Sequence, residues 1–253
     1  YIGPTNLANA LAQSLNTVAA KLADEVGRSN VANTARRLGI TTPINTDPAM
    51  ALGTSQVSPL EMAQAYAAFS NGGIKTEAFG IERIRTPSGR VLYQHPRAAR
   101  PSVIGQPPLA YMIRMMRQVI ASGTGTRAAV PGYDLAGKTG TTSDYRDAWF
   151  IGYTGGFTTA VWVGKDDNTP MKKVTGGGAP AAIWHDYMKQ ALPRLAAQPI
   201  PGGDVAPPPE EPTDPLSAIV NGVQDLLHGD HEGEAPPPMI VTPRSRTPEE
   251  APH

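Results

Sequence analysis

Residues 135–163 have the sequence LAGKTGTTSDYRDAWFIGYTGGFTTAVWV, and this stretch decides the fold class. β-Branched and aromatic residues, which strands favour, fill residues 149–153 and 158–163. Gly155 and Gly156 separate the two runs and predict a tight turn. The stretch therefore predicts antiparallel strands connected by a hairpin.

Helical patterns precede these strands. Apolar residues recur at steps of three and four between Leu7 and Val26, which predicts one continuous helix over that range. A further helix is expected to begin at Ser58, because Pro59 suits a first helical position and Glu61 completes a capping box.

Another helix is predicted at residues 109–121, and a last one follows the strands at residues 181–196. The side chains expected to face inward on that last helix are Ile183, Trp184, Tyr187, Met188 and Leu192. Helices first, strands next and a helix last predict an α+β fold, in which an antiparallel sheet is packed with helices.

Proline usage divides the chain into two parts. Of the 26 prolines, 13 lie between Pro199 and Pro252, in a stretch that has few residues suited to a core. We predict a folded, partial domain over residues 1–197 and a Pro-rich, mostly disordered tail over residues 198–253. Within this tail, an apolar face at residues 214–228 predicts a short helix that docks on a partner or on the domain itself.

The composition excludes several functions. Lys plus Arg equals Asp plus Glu at 22 each, so the chain lacks the basic excess of a typical nucleic-acid binder. The absence of cysteine excludes disulfides and thiolate metal sites, and the histidines show no metal-ligand spacing. We therefore predict neither a metal nor another cofactor.

One interpretation of the segment around Lys138 is a phosphate-binding loop. Residues 132–139 match the Walker A pattern, which requires a buried strand before the loop and a helix after it. Val130 and Pro131 precede the match instead of a long apolar run, and the residues that follow it are poor helix formers. This context disfavours a P-loop NTPase, which remains the weaker alternative.

The other interpretation is the Lys-Thr-Gly triad of penicillin-interacting serine enzymes, here Lys138, Thr139 and Gly140. The strand-rich sequence that follows suits a triad located on a strand. The same enzymes use a Ser-x-Asn motif upstream, and Ser14 and Asn16 supply one. For this function the predicted first helix must kink, so that both side chains enter a cleft.

These motifs and the sequence around them resemble the transpeptidase domain of class A, bifunctional penicillin-binding proteins. The resemblance covers about residues 3–192 and implies an incomplete fold of the penicillin-binding transpeptidase and serine β-lactamase type. The stretches that carry it, besides the two motifs, are residues 51–53, 57–63, 66–73, 123–126, 147–153 and 161–164.

The sequence departs from that family at the nucleophile. The family uses Ser-x-x-Lys upstream of Ser-x-Asn, and no serine of this chain has lysine three positions later. We therefore expect the nucleophile, a glycosyltransferase domain and a membrane anchor to precede Tyr1, and the fragment to be inactive alone. The implied location is the periplasmic face of the bacterial inner membrane. Alternatives are a non-catalytic penicillin-binding-like sensor, a serine β-lactamase or a D,D-carboxypeptidase.

The resemblance implies a D,D-transpeptidase that cross-links peptidoglycan stem peptides through a serine acyl-enzyme and binds β-lactams. Ser14 would relay a proton to the departing D-alanine nitrogen. Asn16 would bind the stem-peptide backbone and hold Ser14, while Lys138 would supply a positive field. Partners would be stem peptides and β-lactams, with no nucleic acid, and cell-wall synthesis proteins could bind the predicted tail helix.

The other two triad residues and Thr141, which follows them, would contact substrate directly. Thr139 and Thr141 would hold the terminal carboxylate, and Gly140 would leave room for the substrate backbone. The backbone amide of Thr141 would provide half of the oxyanion hole.

Overall fold

The computed structural model describes residues 3–96 and 99–204. The tail helix predicted at residues 214–228 lies outside the described residues. The helices are α1 (Leu7–Ala12), α2 (Asn16–Val26), α3 (Arg28–Leu38), α4 (Pro59–Ser70), α5 (Pro108–Ala121) and α6 (Ala179–Ala191). The strands are β1 (Arg83–Arg85), β2 (Val91–Gln94), β3 (Ala136–Thr141), β4 (Asp147–Thr154) and β5 (Phe157–Gly164).

The central sheet is an antiparallel meander in the order β3-β4-β5. Lys138 pairs with Ile151 across β3 and β4, and the turn at Gly155 and Gly156 joins β4 to β5. The antiparallel strands and hairpin predicted from the sequence are therefore confirmed. A separate antiparallel pair, β1 and β2, completes the α+β arrangement.

Helices cover both faces of the central sheet. Trp184 and Met188 of α6 are fully buried in a cluster with Phe150 of β4. On the other face, α5 buries Leu109 and Ile113 against β3 and β4. The sheet therefore lies between two helical layers, and α5 packs against both β3 and α1.

The prediction for the last helix was wrong in two respects. Helix α6 ends at Ala191, and Ile183 and Tyr187 are 49% and 57% exposed. The buried stripe has spacings of three and four, which keep its members on one side of the helix. Positions 183 and 187 lie about 100° around the helix from that stripe, on its solvent side. The members of the stripe are Ala181, Trp184, Met188 and Leu192.

Helix α4 begins with the predicted capping box. The hydroxyl of Ser58 accepts from the backbone N–H of Glu61, and the Glu61 carboxylate accepts from the backbone N–H of Ser58. The same carboxylate accepts from the backbone N–H groups of Thr41 and Thr42, at 2.9 and 2.8 Å. Hydrogen bonds from Ser58, Thr42 and Thr41 hold the pKa of Glu61 well below its ordinary value. Glu61 thus connects the loop after α3 to the start of α4.

Residues 198–204 pack against the folded body, although composition assigned them to the tail. Ile200 is 1% exposed, and its N–H donates to Asp134 Oδ2 at 2.8 Å. Asp134 also forms a bidentate ion pair with Arg117 of α5, with both N–O distances at 2.7 Å. Arg117 in turn donates to the carbonyl of Gly203 at 3.0 Å. The packed region therefore extends beyond the predicted boundary at residue 197.

Candidate active site

The predicted continuous helix over residues 7–26 is interrupted at Ser14, which has a left-handed φ of 55°. The N–H of Leu15 donates to the carbonyl of Ala10 and the N–H of Ser14 to that of Leu11, which is the Schellman pattern of a helix end. Helix α2 then begins at Asn16. The apolar spacing continues across the break because Leu11 and Leu15 remain four residues apart, so the pattern predicted no interruption.

The break directs Ser14 towards β3. Lys138 Nζ donates to Ser14 Oγ at 2.8 Å and to the carbonyl oxygen of Thr139 at 3.0 Å. Burial lowers the pKa of Lys138 to about 8, because desolvation disfavours the charged ammonium. The structure thus brings together the two residues on which the predicted site depends, across 124 positions of sequence.

An open groove surrounds this contact. It is lined by Ser14, Asn16, Thr124, Thr139, Thr141, Thr175 and Gly177. Asn16 is exposed at the first position of α2, beside Ser14 in sequence and on the same groove. Within residues 3–96 and 99–204, no hydrogen bond joins Asn16 to Ser14, so its role in holding that serine stays a prediction.

Thr139 and Thr141 both line the groove from β3. Thr139 is 9% exposed, and its Oγ1 lies 2.6 Å from Thr124 Oγ1. Thr141 is exposed at the end of β3, and its Oγ1 accepts from the backbone N–H of Gly176 at 3.0 Å. The Thr141 hydroxyl therefore retains its own proton for donation.

Gly140 lies close to the neighbouring strand β4. A Cβ at this position would lie 3.3 Å from the Cβ of Trp149, its cross-strand partner. The backbone of Gly140 is also approached by Gly176, where an added Cβ would overlap the Gly140 carbonyl. A side chain at position 140 would therefore crowd Trp149 of β4, and the close approach of the loop requires glycine at position 176. The predicted room for substrate backbone at Gly140 stays untested.

Sequence reasoning missed Thr124 and Thr175 as residues of the groove. Neither belongs to a motif of the reaction, and each reaches the groove only through tertiary folding. A signal was present at residues 176–178, a run of three glycines, which indicates close backbone approach. A Cβ at Gly177 would overlap the Thr124 carbonyl, so this run brings the loop against the groove wall.

The phosphate-loop alternative does not fit the structure. Residues 132–139 lead into β3, and Lys138 lies inside that strand. A 3₁₀ turn at Ser143–Tyr145 and then β4 follow Lys138, in place of the helix that a phosphate-binding loop opens.

Neither a metal-binding cluster nor a membrane-spanning helix occurs in the part of the chain that the structure describes. No three His, Asp or Glu side chains in residues 3–96 and 99–204 are grouped so that they could hold a metal ion. None of the helices in the same ranges has the length and apolar character needed to cross a membrane.

Comparison with known proteins places these observations in one family. The family model described as the penicillin binding protein transpeptidase domain matches residues 1–189. Penicillin-binding protein 1A of Aquifex aeolicus is 35% identical over 243 residues, which cover 94% of this chain and 31% of that protein. Penicillin-binding protein 1B of Vibrio cholerae is 35% identical over 207 residues, covering 80% and 26%.

A solved structure agrees with the sequence comparison. The PonA1 protein of Mycobacterium tuberculosis in complex with penicillin V matches with a TM-score of 0.70 and 28% identity. The match covers 81% of this chain and 62% of that one. This chain spans less than a third of the two penicillin-binding protein relatives. On the family match and the fold it shares with PonA1, the chain belongs to the penicillin-binding protein transpeptidase domain family.

Proposed function

We propose that this chain forms the proton-relay and carboxylate-binding part of a D,D-transpeptidase site. The parent reaction cross-links peptidoglycan stem peptides through a serine acyl-enzyme, and the same site binds β-lactams. The observation that carries the proposal is the 2.8 Å hydrogen bond from Lys138 Nζ to Ser14 Oγ across the groove. The solved PonA1 structure, which holds penicillin V, supports the ligand class.

The Lys138 contact sets the direction of the Ser14 proton. Because Ser14 Oγ accepts from the ammonium, its own O–H points away from Lys138 and is available to the groove. When the acyl-enzyme forms, the C–N bond of the D-Ala-D-Ala peptide breaks and the departing nitrogen must gain a proton. Ser14 is placed to donate that proton and to be reprotonated from the side of Lys138.

The substrate's terminal carboxylate is assigned to the threonine side of the groove. Thr139 and Thr141 both present hydroxyls from β3, and the Lys138 ammonium adds a positive charge beside them. A partly desolvated groove strengthens such charge-assisted hydrogen bonds relative to those in water. Asn16, at the mouth of the same groove, is assigned to the stem-peptide backbone.

The proposal places the nucleophile outside residues 1–253, since no serine here has lysine three positions later. It also places the reaction at the periplasmic face of the inner membrane, with the anchor and glycosyltransferase domain outside the same residues. The missing motif also favours a second candidate, a sensor module that binds penicillin-like ligands without acylation.

Labelling by a fluorescent penicillin tests the proposal. The chain is compared with a version extended upstream to the segment that carries Ser-x-x-Lys, and with Lys138→Ala in that extended protein. We expect covalent labelling of the extended protein and its loss in Lys138→Ala, because the variant lacks the positive charge and the Ser14 partner. We expect no labelling of the 253-residue chain.

Lys165→Ala is the matched control, since Lys165 is exposed and bonds to Thr169 in the turn after β5. Normal labelling of Lys138→Ala would contradict the assigned role. An upstream sequence without Ser-x-x-Lys, or an extended protein that binds penicillin only reversibly, would favour the sensor. Covalent labelling of the 253-residue chain at Ser14 would overturn its assignment as a relay.

A further inference from the structure

Thr124 connects three walls of the groove. Its backbone N–H donates to the carbonyl of Ala12, two residues before Ser14, at 3.0 Å. Its Oγ1 lies 2.6 Å from Thr139 Oγ1, and its carbonyl is in close contact with Gly177. Backbone contacts therefore fix the position of Thr124, while its hydroxyl is directed at a residue of the triad.

The short distance between the two hydroxyls means that they share one hydrogen bond. Each hydroxyl has one proton, so one threonine donates to the other and only one O–H remains free. The Lys138 ammonium also donates to Thr139 Oγ1, with Nζ 3.5 Å from that oxygen. When a carboxylate occupies the groove, the arrangement with the lowest energy has Thr139 donate to it and accept from Thr124.

We infer that Thr124 is a positioning residue for carboxylate recognition, which orients and polarises the Thr139 hydroxyl by donating a hydrogen bond to it. The inference rests on the proposed function, since it concerns the carboxylate of a penicillin or stem peptide in the same groove. Donation into a hydroxyl strengthens the bond that this hydroxyl donates onward.

Thr124→Val isolates the effect of the hydroxyl. Valine keeps the branched shape and the backbone N–H that reaches Ala12, and it removes only the side-chain donor. Thr124→Ser restores the donor. Thr126→Val is the matched control, because Thr126 is exposed in the 3₁₀ turn that follows the same loop.

The experiment measures second-order acylation rate constants in the upstream-extended protein. The probes are benzylpenicillin, which has a free carboxylate, and its methyl ester, in which that charge is removed. We expect Thr124→Val to lower the rate constant for the free acid by about 3- to 10-fold, the effect of one hydrogen bond. The ester's rate constant should stay unchanged, and Thr124→Ser and Thr126→Val should match wild type with both probes.

Two results would overturn the inference while the wild-type protein is still acylated. One is an unchanged rate constant for the free acid in Thr124→Val. The other is an equal loss for acid and ester, which would mean that Thr124 acts on the Ser14 segment and not on the carboxylate. If the wild-type extended protein is not acylated at all, the proposed function fails instead, so the two failures are distinguishable.

Discussion

Lys138 holds the positive charge of the groove, and its pKa of about 8 makes that charge sensitive to mildly alkaline pH. The ordinary value is 10.5, so burial moves the loss of charge to lower pH. In the proposed mechanism the protonated form is the active one. We therefore expect the acylation rate constant of the upstream-extended protein to fall as pH rises through about 8, when followed by fluorescent penicillin.

Lys138→Arg is the control for this pH dependence, because a guanidinium stays charged throughout the same range. The variant should be slower overall and should lack the decline near the Lys138 pKa. A rate constant that instead rises through that pKa in wild type would indicate that neutral Lys138 acts as a base.

The sequence predicted some residues of the site and missed others. Lys138 and Ser14 could be identified because each belongs to a short motif with a chemical reason for its residue types. Thr124 lies in residues 123–126, which carry part of the family resemblance, but no motif assigned it a chemical role, since its hydroxyl contacts a residue 15 positions away in another element. Side-chain proximity of this kind depends on how α1, β3 and the loop after α5 pack, which no local pattern encodes.

At the scale of elements, Glu61 connects two helices through one carboxylate. We expect Glu61→Gln to lower the free energy of unfolding by about 1–3 kcal/mol, because backbone donors lose a charged acceptor. Urea denaturation at neutral pH measures the change. Glu77→Gln is the control, since Glu77 is an exposed carboxylate in the segment that follows α4.

The difference in the free energy of unfolding between wild type and Glu61→Gln should depend on pH, in a direction set by the Glu61 pKa. The folded-state pKa of Glu61 is depressed, so its stabilisation is fully present above the ordinary value of 4.5. The stabilisation declines as pH falls below 4.5 towards the folded-state pKa. The difference in the free energy of unfolding between wild type and Glu61→Gln should therefore become smaller. A gap that is constant with pH would mean that the charge of Glu61 contributes little.

Prediction of the elements succeeded where local chemistry decides the outcome. The capping box at Ser58 and the turn at Gly155 and Gly156 form from neighbouring residues alone. The Ser-x-Asn interpretation required a kink near Ser14, but the apolar spacing did not indicate it, because a serine in left-handed conformation is sterically unfavourable and leaves no mark in that spacing. The left-handed conformation of Ser14 lies beside a tertiary contact, the hydrogen bond from the Thr124 N–H to the carbonyl of Ala12.

At the scale of the whole molecule, the Arg117–Asp134 ion pair joins α5, the loop before β3 and residues 198–204. Burial alone would raise the pKa of Asp134, but hydrogen bonds from Arg117 and the Ile200 N–H outweigh it, and the pKa is lowered. We expect Asp134→Asn to lower the free energy of unfolding by about 1.5–3 kcal/mol, measured by urea denaturation.

A double-mutant cycle with Arg117→Met isolates this ion pair. The decrease in the free energy of unfolding caused by Asp134→Asn should be much smaller when Arg117 is already replaced, because the two side chains act together. Additive losses would contradict the coupling. In wild type, the contribution of Asp134 should be present above its ordinary pKa of 3.8 and decline as pH falls below it.

Composition alone did not indicate that residues 198–204 pack against the folded body. Composition indicated a proline-rich stretch from Pro199 onward, but composition is an average over many residues. It cannot detect that one of them, Ile200, fits into the apolar cluster between α5 and the sheet. The α+β class, by contrast, followed from the order of helical and strand patterns along the chain, which depends on many residues together.

The hydrogen bond between Ser14 and Lys138 has a consequence for folding and for the stabilisation of the fold by a bound ligand. Its two ends are separated by 124 positions, so forming it requires that the segment at Ser14 dock on β3. Local, partly folded states cannot assemble the groove. A small molecule that bridges both sides should therefore raise the melting temperature of the entire cooperative unit, by an amount that grows with the logarithm of its concentration above Kd.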